Sequence, residues 1–545
     1  MPPYKASAIA GILFIFVAVS TTAAQTTQAC PRFEPGSVVT EPVHLYSSAG
    51  VLRLDLTYQT RIDSFGNTLY CYMTPDGVES PTLHVKPGDR LIINFTNAVP
   101  ADHSAHPMHA MPGMIVTGSV SDQCGAVVMD ATSTNIHYHG TNTPPTCHQD
   151  EVIRTLVNSG QSFQYDLQFP DDEPPGLYWY HPHVHGISEA AVQGGASGAL
   201  IVDGIENINP AVVGLPQRTL IIRDNQVPGA PDDDQVPAWD ISLNYIPVPW
   251  PNFTPAILPM KAGEKQFWRV ANAGADTILD LQLTYDNKPQ VLQLVALDGV
   301  PVGSQDGTAT GTLVDVKHIL LPPAARAEFI VVPPDANVHE ALLKTLNVDT
   351  GPDGDVDPER PIARIQLTAA DAAPVLTTGK QTGKPNKQRF QGLPGAKVTA
   401  TRTLFFWEEP SNPNDPDSEP NFFITVDGKT PVLFNPNNPP AIVTTQGSVE
   451  DWTIENRTME THAFHIHQIH FLQVGENRRP VKNGQYLDMI NVPYWKGHGP
   501  YPSVTIRMDF RGPDIGDFVY HCHILEHEDN GMMAIIRVLP PNPAP

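Results

Sequence analysis

Hydrophobic positions along this chain come in short runs rather than in helical stripes. Segments such as "LIINFT", "GALIVDG" and "AEFIVV" recur between turn signals, and 56 prolines and 40 glycines are spread through the 545 residues. Short apolar runs bounded by such breakers predict strands, and stretches with helical periodicity are scarce. The pattern predicts an all-β protein. Domains usually hold about 100–200 residues, so a chain of this length is expected to form three or four.

A repeat selects three. "GDRLIINFTN" (Gly88 to Asn97), "GEKQFWRVAN" (Gly263 to Asn272) and "GSVEDWTIEN" (Gly447 to Asn456) each open on a glycine turn and reach an asparagine nine positions later. Their spacing is that of one β-sandwich per step, the mark of duplicated domains rather than of a solenoid. "GLYWYHPH" (Gly176 to His183) and "GDFVYHCH" (Gly516 to His523) tie the outer two units together, each with a glycine five residues before its first histidine. The middle unit has no such histidines and reads as a spacer. Boundaries are expected near 205 and in the Gly, Lys and Pro-rich stretch 375–398, giving units over 40–205, 206–375 and 398–545.

Residues 1–24 read as a signal peptide: Lys5, an apolar run from Ala8 to Val19, then small residues at Thr22 and Ala24. The run is shorter than the roughly 20 residues a bilayer span needs, so a soluble protein, secreted or periplasmic, is expected. Export permits disulfides. Of the five cysteines, Cys522 stands apart; the other four allow three pairings, of which Cys30 with Cys71 and Cys124 with Cys147 close loops within the first third of the chain. A net charge of -25 argues against nucleic acid or an anionic membrane as partner. A monomer is expected.

Four histidine clusters carry the chemistry: "IHYHG" (His137, His139), "WYHPHVHG" (His181, His183), "HAFHIH" (His462, His465, His467) and "HCHILEH" (His521, Cys522, His523, His527). Successive side chains of a strand face opposite ways, so the two histidines of each H-x-H project together. Eight imidazoles from four such pairs can converge on one metal cluster, while Cys522 points away towards another site. One thiolate, two imidazoles and a weak axial thioether make a blue-copper arrangement. Cys522, His527 and His462 are available for it.

With these motifs the chain resembles the three-domain multicopper oxidases of the laccase-like kind. The resemblance implies three cupredoxin-like Greek-key β-sandwich domains and four copper ions. A type 1 copper would be held by His462, Cys522 and His527, with Met532, ten residues beyond the cysteine, as axial ligand in preference to Met533. A type 2 copper would take His137 and His465, and the type 3 pair His139, His181, His183, His467, His521 and His523. Electrons would enter at the type 1 site and pass through Cys522 to His521 and His523, reducing dioxygen to water. The axial methionine implies modest driving force. Phenolic or aromatic-amine donors are the first expectation, Cu(I), Fe(II) or Mn(II) the alternative. A copper-free scaffold would lack ligands, and a copper nitrite reductase would carry its cysteine in the first domain; neither pattern is present.

Proton delivery calls for carboxylates near the copper ligands. Glu528, directly after His527, and Asp150, with Glu151 as alternative, occupy the positions where this family carries acids. His185 and His470 extend two clusters and read as packing or supporting residues. The stretch "DHSAHPMHAMPGM" (Asp102 to Met114) mixes thioethers with imidazoles, a combination suited to cuprous ions, though a surface lid of biased composition explains it as well. "DTGPDGDVDPERP" (Asp349 to Pro361) lacks the spacing of an EF-hand and reads as an acidic loop. Sequons begin at Asn94, Asn252 and Asn456, the first and last inside repeat strands.

Overall fold

The computed structural model describes residues 29–101, 124, 125, 127–227, 236–303, 311–368, 376–380, 388–415, 418 and 420–541. The segment expected to be a signal peptide and the Asp102–Met114 stretch lie outside them. Strands form six sheets, two from each third of the chain. No described helix is long and apolar enough to cross a membrane.

The sequence repeat is a structural repeat. Arg90–Asn97, Gln266–Asn272 and Val449–Asn456 each lie between one parallel and one antiparallel neighbour: Val51–Ile62 and Ser162–Gln168, Pro216–Gln226 and Arg326–Val331, Ala400–Pro410 and Ser503–Asp509. The glycines that open the motifs have φ of +85°, +76° and +94°, a backbone region that L side chains avoid. The closing asparagines are buried staples. Asn272 Nδ2 donates to the carbonyls of Thr277, Leu321 and Pro322 while its Oδ1 accepts from Gly274 N. Asn97 and Asn456 repeat this, each donating to two carbonyls and accepting from the amide two residues on. Burial of such turns requires that their carbonyls be paired, which is why an amide recurs there.

The units are not beads on a string. One apolar cluster runs from the middle unit into the third and takes in Leu177 and Trp179 of the first. Strand Leu376–Thr377 pairs with Pro216–Gln226, so the middle unit's pairing enters the stretch expected to be linker. Both disulfides, Cys30–Cys71 and Cys124–Cys147, lie in the first unit with the expected pairing, and Cys522 is free and buried. Of the sequons, Asn456 is fully buried, whereas Asn94 is exposed and bonded to Asp55 and Gln164.

Removing the buried amide by Asn272→Ala strands three carbonyls and one amide and is expected to cost about 2–4 kcal/mol in urea unfolding. Asn94→Ala at an exposed site is expected to cost within about 0.5 kcal/mol. Equal losses at the two positions would remove the role given to the buried staples.

Candidate metal centre

Strand parity sorts the ligand-type residues into two groups. In the third unit Phe464 pairs with Cys522 and His465 with His521, and His462 pairs with Val492 on the same strand. Even-numbered positions, His462 and Cys522, therefore share one face; odd-numbered positions, His465, His521 and His523, share the other. In the first unit His137 pairs with His181 and His139 with Trp179, which aligns three histidines and one indole.

On the even face, Nδ1 of His462 and Nδ1 of His527 are 3.1 Å apart, and each is within 3.6–3.7 Å of Cys522 Sγ. His527 comes from the short helix Leu525–Asp529, with its ring stacked on Phe422 at 4.3 Å. Ala463 N donates to the sulfur. Met532 is fully buried in the same apolar cluster as Cys522, and its amide donates to the carbonyl of His527. Met533 packs elsewhere, with Val519 and Ile535. The two methionines thus lie in different apolar clusters.

On the odd face, eight imidazoles from two units meet in a closed space. His139, His181 and His523 form one group and His183, His467 and His521 another, with nitrogens of each group within 4.8 Å of one another; His137 and His465 join His139 in a third. Neighbouring carbonyls set which nitrogen faces inward. His181 Nδ1 donates to Pro182 O, His465 Nδ1 to Asp488 O and His521 Nδ1 to Cys522 O, each at 2.8 Å. The opposite nitrogens are left as lone pairs. Nε2 of His521 then points at Nε2 of His183 (3.3 Å) and of His467 (3.2 Å).

These atoms fit a soft cation and fit little else. His137 Nε2, His139 Nδ1, His181 Nε2, His465 Nε2 and both ring nitrogens of His523 are buried without a hydrogen-bond partner. Burial drives the ring pKa values down, to about 3 for His181 and about 4 for His521, so the rings are neutral and ready to ligate at any pH near neutrality. Burial also pushes the Cys522 thiol up, so it gives a thiolate only when a cation takes the proton's place. Thiolate with imidazoles suits copper at one site, and imidazoles alone suit it at the other.

Asp150 lies against His137, and Glu528 lies beside His185. Asp150 is buried, with Oδ1 3.0 Å from His137 Nδ1 and accepting from Tyr138 N, and Oδ2 accepting from Gln468 Nε2. Glu151 instead serves its own turn, accepting from Arg154 N and Thr155 Oγ1. Glu528 is fully buried, and burial raises its pKa to about 7 against the lowering effect of Asp529 and Ser188 beside it. His185 Nδ1 is 3.6 Å from it. His470 donates from Nε2 to Asp298 O, and its Nδ1 lies 3.5 Å from Asn142 Nδ2.

What the sequence reading missed is the contribution of the middle unit, which is more than a spacer. Its loop through Asp353, Asp355 and Asp357 walls a cleft of 540 Å³ in front of His527. Among the described residues, the cleft is also lined by Glu408, Glu409, Glu460, Glu526 and Asp276, eight carboxylates in all, and by no lysine or arginine. Two of them reach the outer nitrogens of the thiolate site: Glu408 Oε1 is 3.0 Å from His462 Nε2 and Glu460 Oε1 is 3.1 Å from His527 Nε2. Burial and the neighbouring Glu408 hold the Glu460 pKa well above the carboxylate range, and burial raises Asp357 to about 8. The acidic composition of 349–361 was readable; its position in front of His527, 170 residues beyond Asp357 in the chain, was not.

Comparison with known proteins places this geometry in company. Two family models, both described as multicopper oxidase, match residues 128–207 and 408–542. The laccase of Bacillus subtilis (strain 168) is 23% identical over 527 residues, covering 85% of this chain and 89% of that one. Multicopper oxidase LPR1 homolog 3 of Oryza sativa subsp. japonica is 24% identical over 491 residues, covering 75% and 85%. Among solved structures, the Campylobacter jejuni multicopper oxidase, described as a metallo-oxidase, superposes with a TM-score of 0.65 at 19% identity, covering 93% of this chain and 96% of that one. A laccase-like enzyme of Ochrobactrum sp., described as acting on lignin model compounds, gives 0.60 at 20%, covering 92% and 100%.

With two disulfides and one buried thiol, the folded metal-free protein is expected to resist a thiol reagent at neutral pH and to release one reactive thiol per chain on denaturation without reductant. Fast labelling of the native protein would contradict the closed site.

Proposed function

This chain belongs to the multicopper oxidase family and is a copper-dependent oxidoreductase with dioxygen as acceptor; from that premise we propose that its electron donor is a small cation, a reduced metal ion such as Cu(I), Fe(II) or Mn(II). The observation that carries the proposal is the eight-carboxylate cleft in front of His527.

His462, Cys522 and His527, together with Met532, would hold the type 1 copper. His137 and His465 would hold type 2, and His139, His181 and His523 with His183, His467 and His521 the type 3 pair. When bound, copper supplies one-electron exchange at the thiolate site and four-electron reduction of dioxygen to water at the imidazole cluster. Cys522 links the two through its own backbone, since its neighbours His521 and His523 belong to the other group. Asp150 orients the His137 ring through Nδ1. Glu528, whose pKa stands at about 7, keeps a proton close to neutral pH and serves as the proton store.

The cleft favours cations for a Coulombic reason. Burial and neighbouring carboxylates raise the pKa values of Asp276, Asp355, Asp357 and Glu460 in this partly dry wall, and an entering cation relieves both penalties. Glu408 and Glu460 bring such a cation against the outer edges of His462 and His527. A phenol gains nothing from that charge, and a protonated aromatic amine gains part of it, so these donors take second place. Export, which the two disulfides support, and a monomeric state complete the reading.

Oxygen uptake by the copper-loaded protein, measured with Fe(II), Cu(I), Mn(II) and a phenol side by side, tests it. The metal ions are expected to saturate at lower concentration than the phenol, and Glu408→Gln with Glu460→Gln to raise KM for the ions about tenfold or more, a change of about 1.4 kcal/mol. A phenol preferred over every ion would reverse the order of donors; failure of every donor to support uptake, copper being bound, would refute the oxidase. KM for the ions is also expected to fall as pH rises towards 8, because protons held by Asp357, at about 8, and by Glu460 compete with the cation and leave as pH increases.

A further inference from the structure

The middle unit reaches the imidazole cluster as well as the cleft, through one side chain. Arg326, on strand Arg326–Val331, is fully buried. Its Nη1 and Nη2 donate to Oδ1 and Oδ2 of Asp488 in the third unit at 2.7 and 2.6 Å, and its Nε donates to Leu177 O in the first at 3.2 Å. One guanidinium thus ties three units together.

Asp488 in turn touches two of the cluster's histidines. Its carbonyl accepts from His465 Nδ1 at 2.8 Å, and its Oδ1 lies 3.3 Å from His139 Nε2. The rings of His139 and His465 stack with centroids 4.0 Å apart, and each has its remaining nitrogen buried without a partner. Asp298 of the middle unit secures both ends: Oδ1 accepts from Arg326 N and Oδ2 from Asp488 N. Gly140, the glycine that ends "IHYHG", has φ +82°, and a Cβ there would overlap both Arg326 Nη2 and Asp488 Oδ2. The motif's glycine leaves room for the ion pair.

We propose that Arg326 is a positioning residue of the imidazole cluster: by a two-point grip on Asp488 it sets the orientation of His139 and His465, and so makes the middle domain a structural part of a site to which it gives no ligand. The proposal rests on the copper reading above. A lysine at the same place supplies charge without the planar fork, so charge and orientation are separable. The thiolate site touches neither Arg326 nor Asp488 and serves as an internal reference.

The test compares Arg326→Gln and Arg326→Lys with the parent protein after copper loading, by copper content, blue absorption and the electron paramagnetic resonance of the non-blue copper. Both variants are expected to keep the blue band; the glutamine variant is expected to lose cluster copper to a chelator about tenfold more readily, and the lysine variant to show a shifted non-blue signal. If the glutamine variant does not fold, the lysine variant decides alone. Parent-like copper retention in the glutamine variant, or a parent-like non-blue signal in the lysine variant, would overturn the proposal. Absence of non-blue copper from the parent protein would instead refute the copper reading itself, which keeps the two failures apart.

Discussion

The structure depends on the two-residue period of a single strand. Gly516–Cys522 continues into His523, and because alternate side chains face opposite ways, Cys522 is committed to one side while His521 and His523 are committed to the other. The pairing of His465 with His521 propagates the same parity to the neighbouring strand, so that His462 goes with the thiol and His465 with the cluster. A one-residue slip would exchange the two sets and destroy both sites at once. The repeated asparagine staples and the apolar cluster that joins the units hold these strands in register.

Burial supplies the second constraint. Eight imidazoles and a thiol are taken out of water, and six of the rings keep a buried nitrogen with no hydrogen-bond partner, an arrangement that is unfavourable until a cation enters. The polar groups nearby act to fix orientation: carbonyls of Pro182, Asp488 and Cys522 take one ring proton each. The outer face of the thiolate site reverses this logic, with the carboxylates of Glu408 and Glu460 set against the outer nitrogens of His462 and His527.

The candidate ligand residues were legible in the sequence because their pattern is local: H-x-H within one strand, a cysteine between two histidines, a methionine ten residues on. The threefold repeat was legible for the same reason, since a glycine turn and an asparagine staple lie nine residues apart. Arg326, Asp488 and the acidic wall were not, because each acquires its meaning from another domain. Arg326 sits in "LPPAARAEFIV", which reads as a buried strand, and nothing local says that its guanidinium meets a carboxylate 162 residues away. Asp353, Asp355 and Asp357 read as a solvated loop until the fold sets them before His527. Asp150 and Glu528 were found by their position beside known motifs, not by any property of their own surroundings.

The central claim is that one strand serves two metal sites back to back, and Cys522→Ser tests it most directly. Copper content and visible absorption of the loaded variant are the readouts. The account predicts that the intense blue absorption disappears while the imidazole cluster keeps its copper. Retention of the colour would contradict the assignment of the thiolate, and loss of all copper would contradict the independence of the two faces.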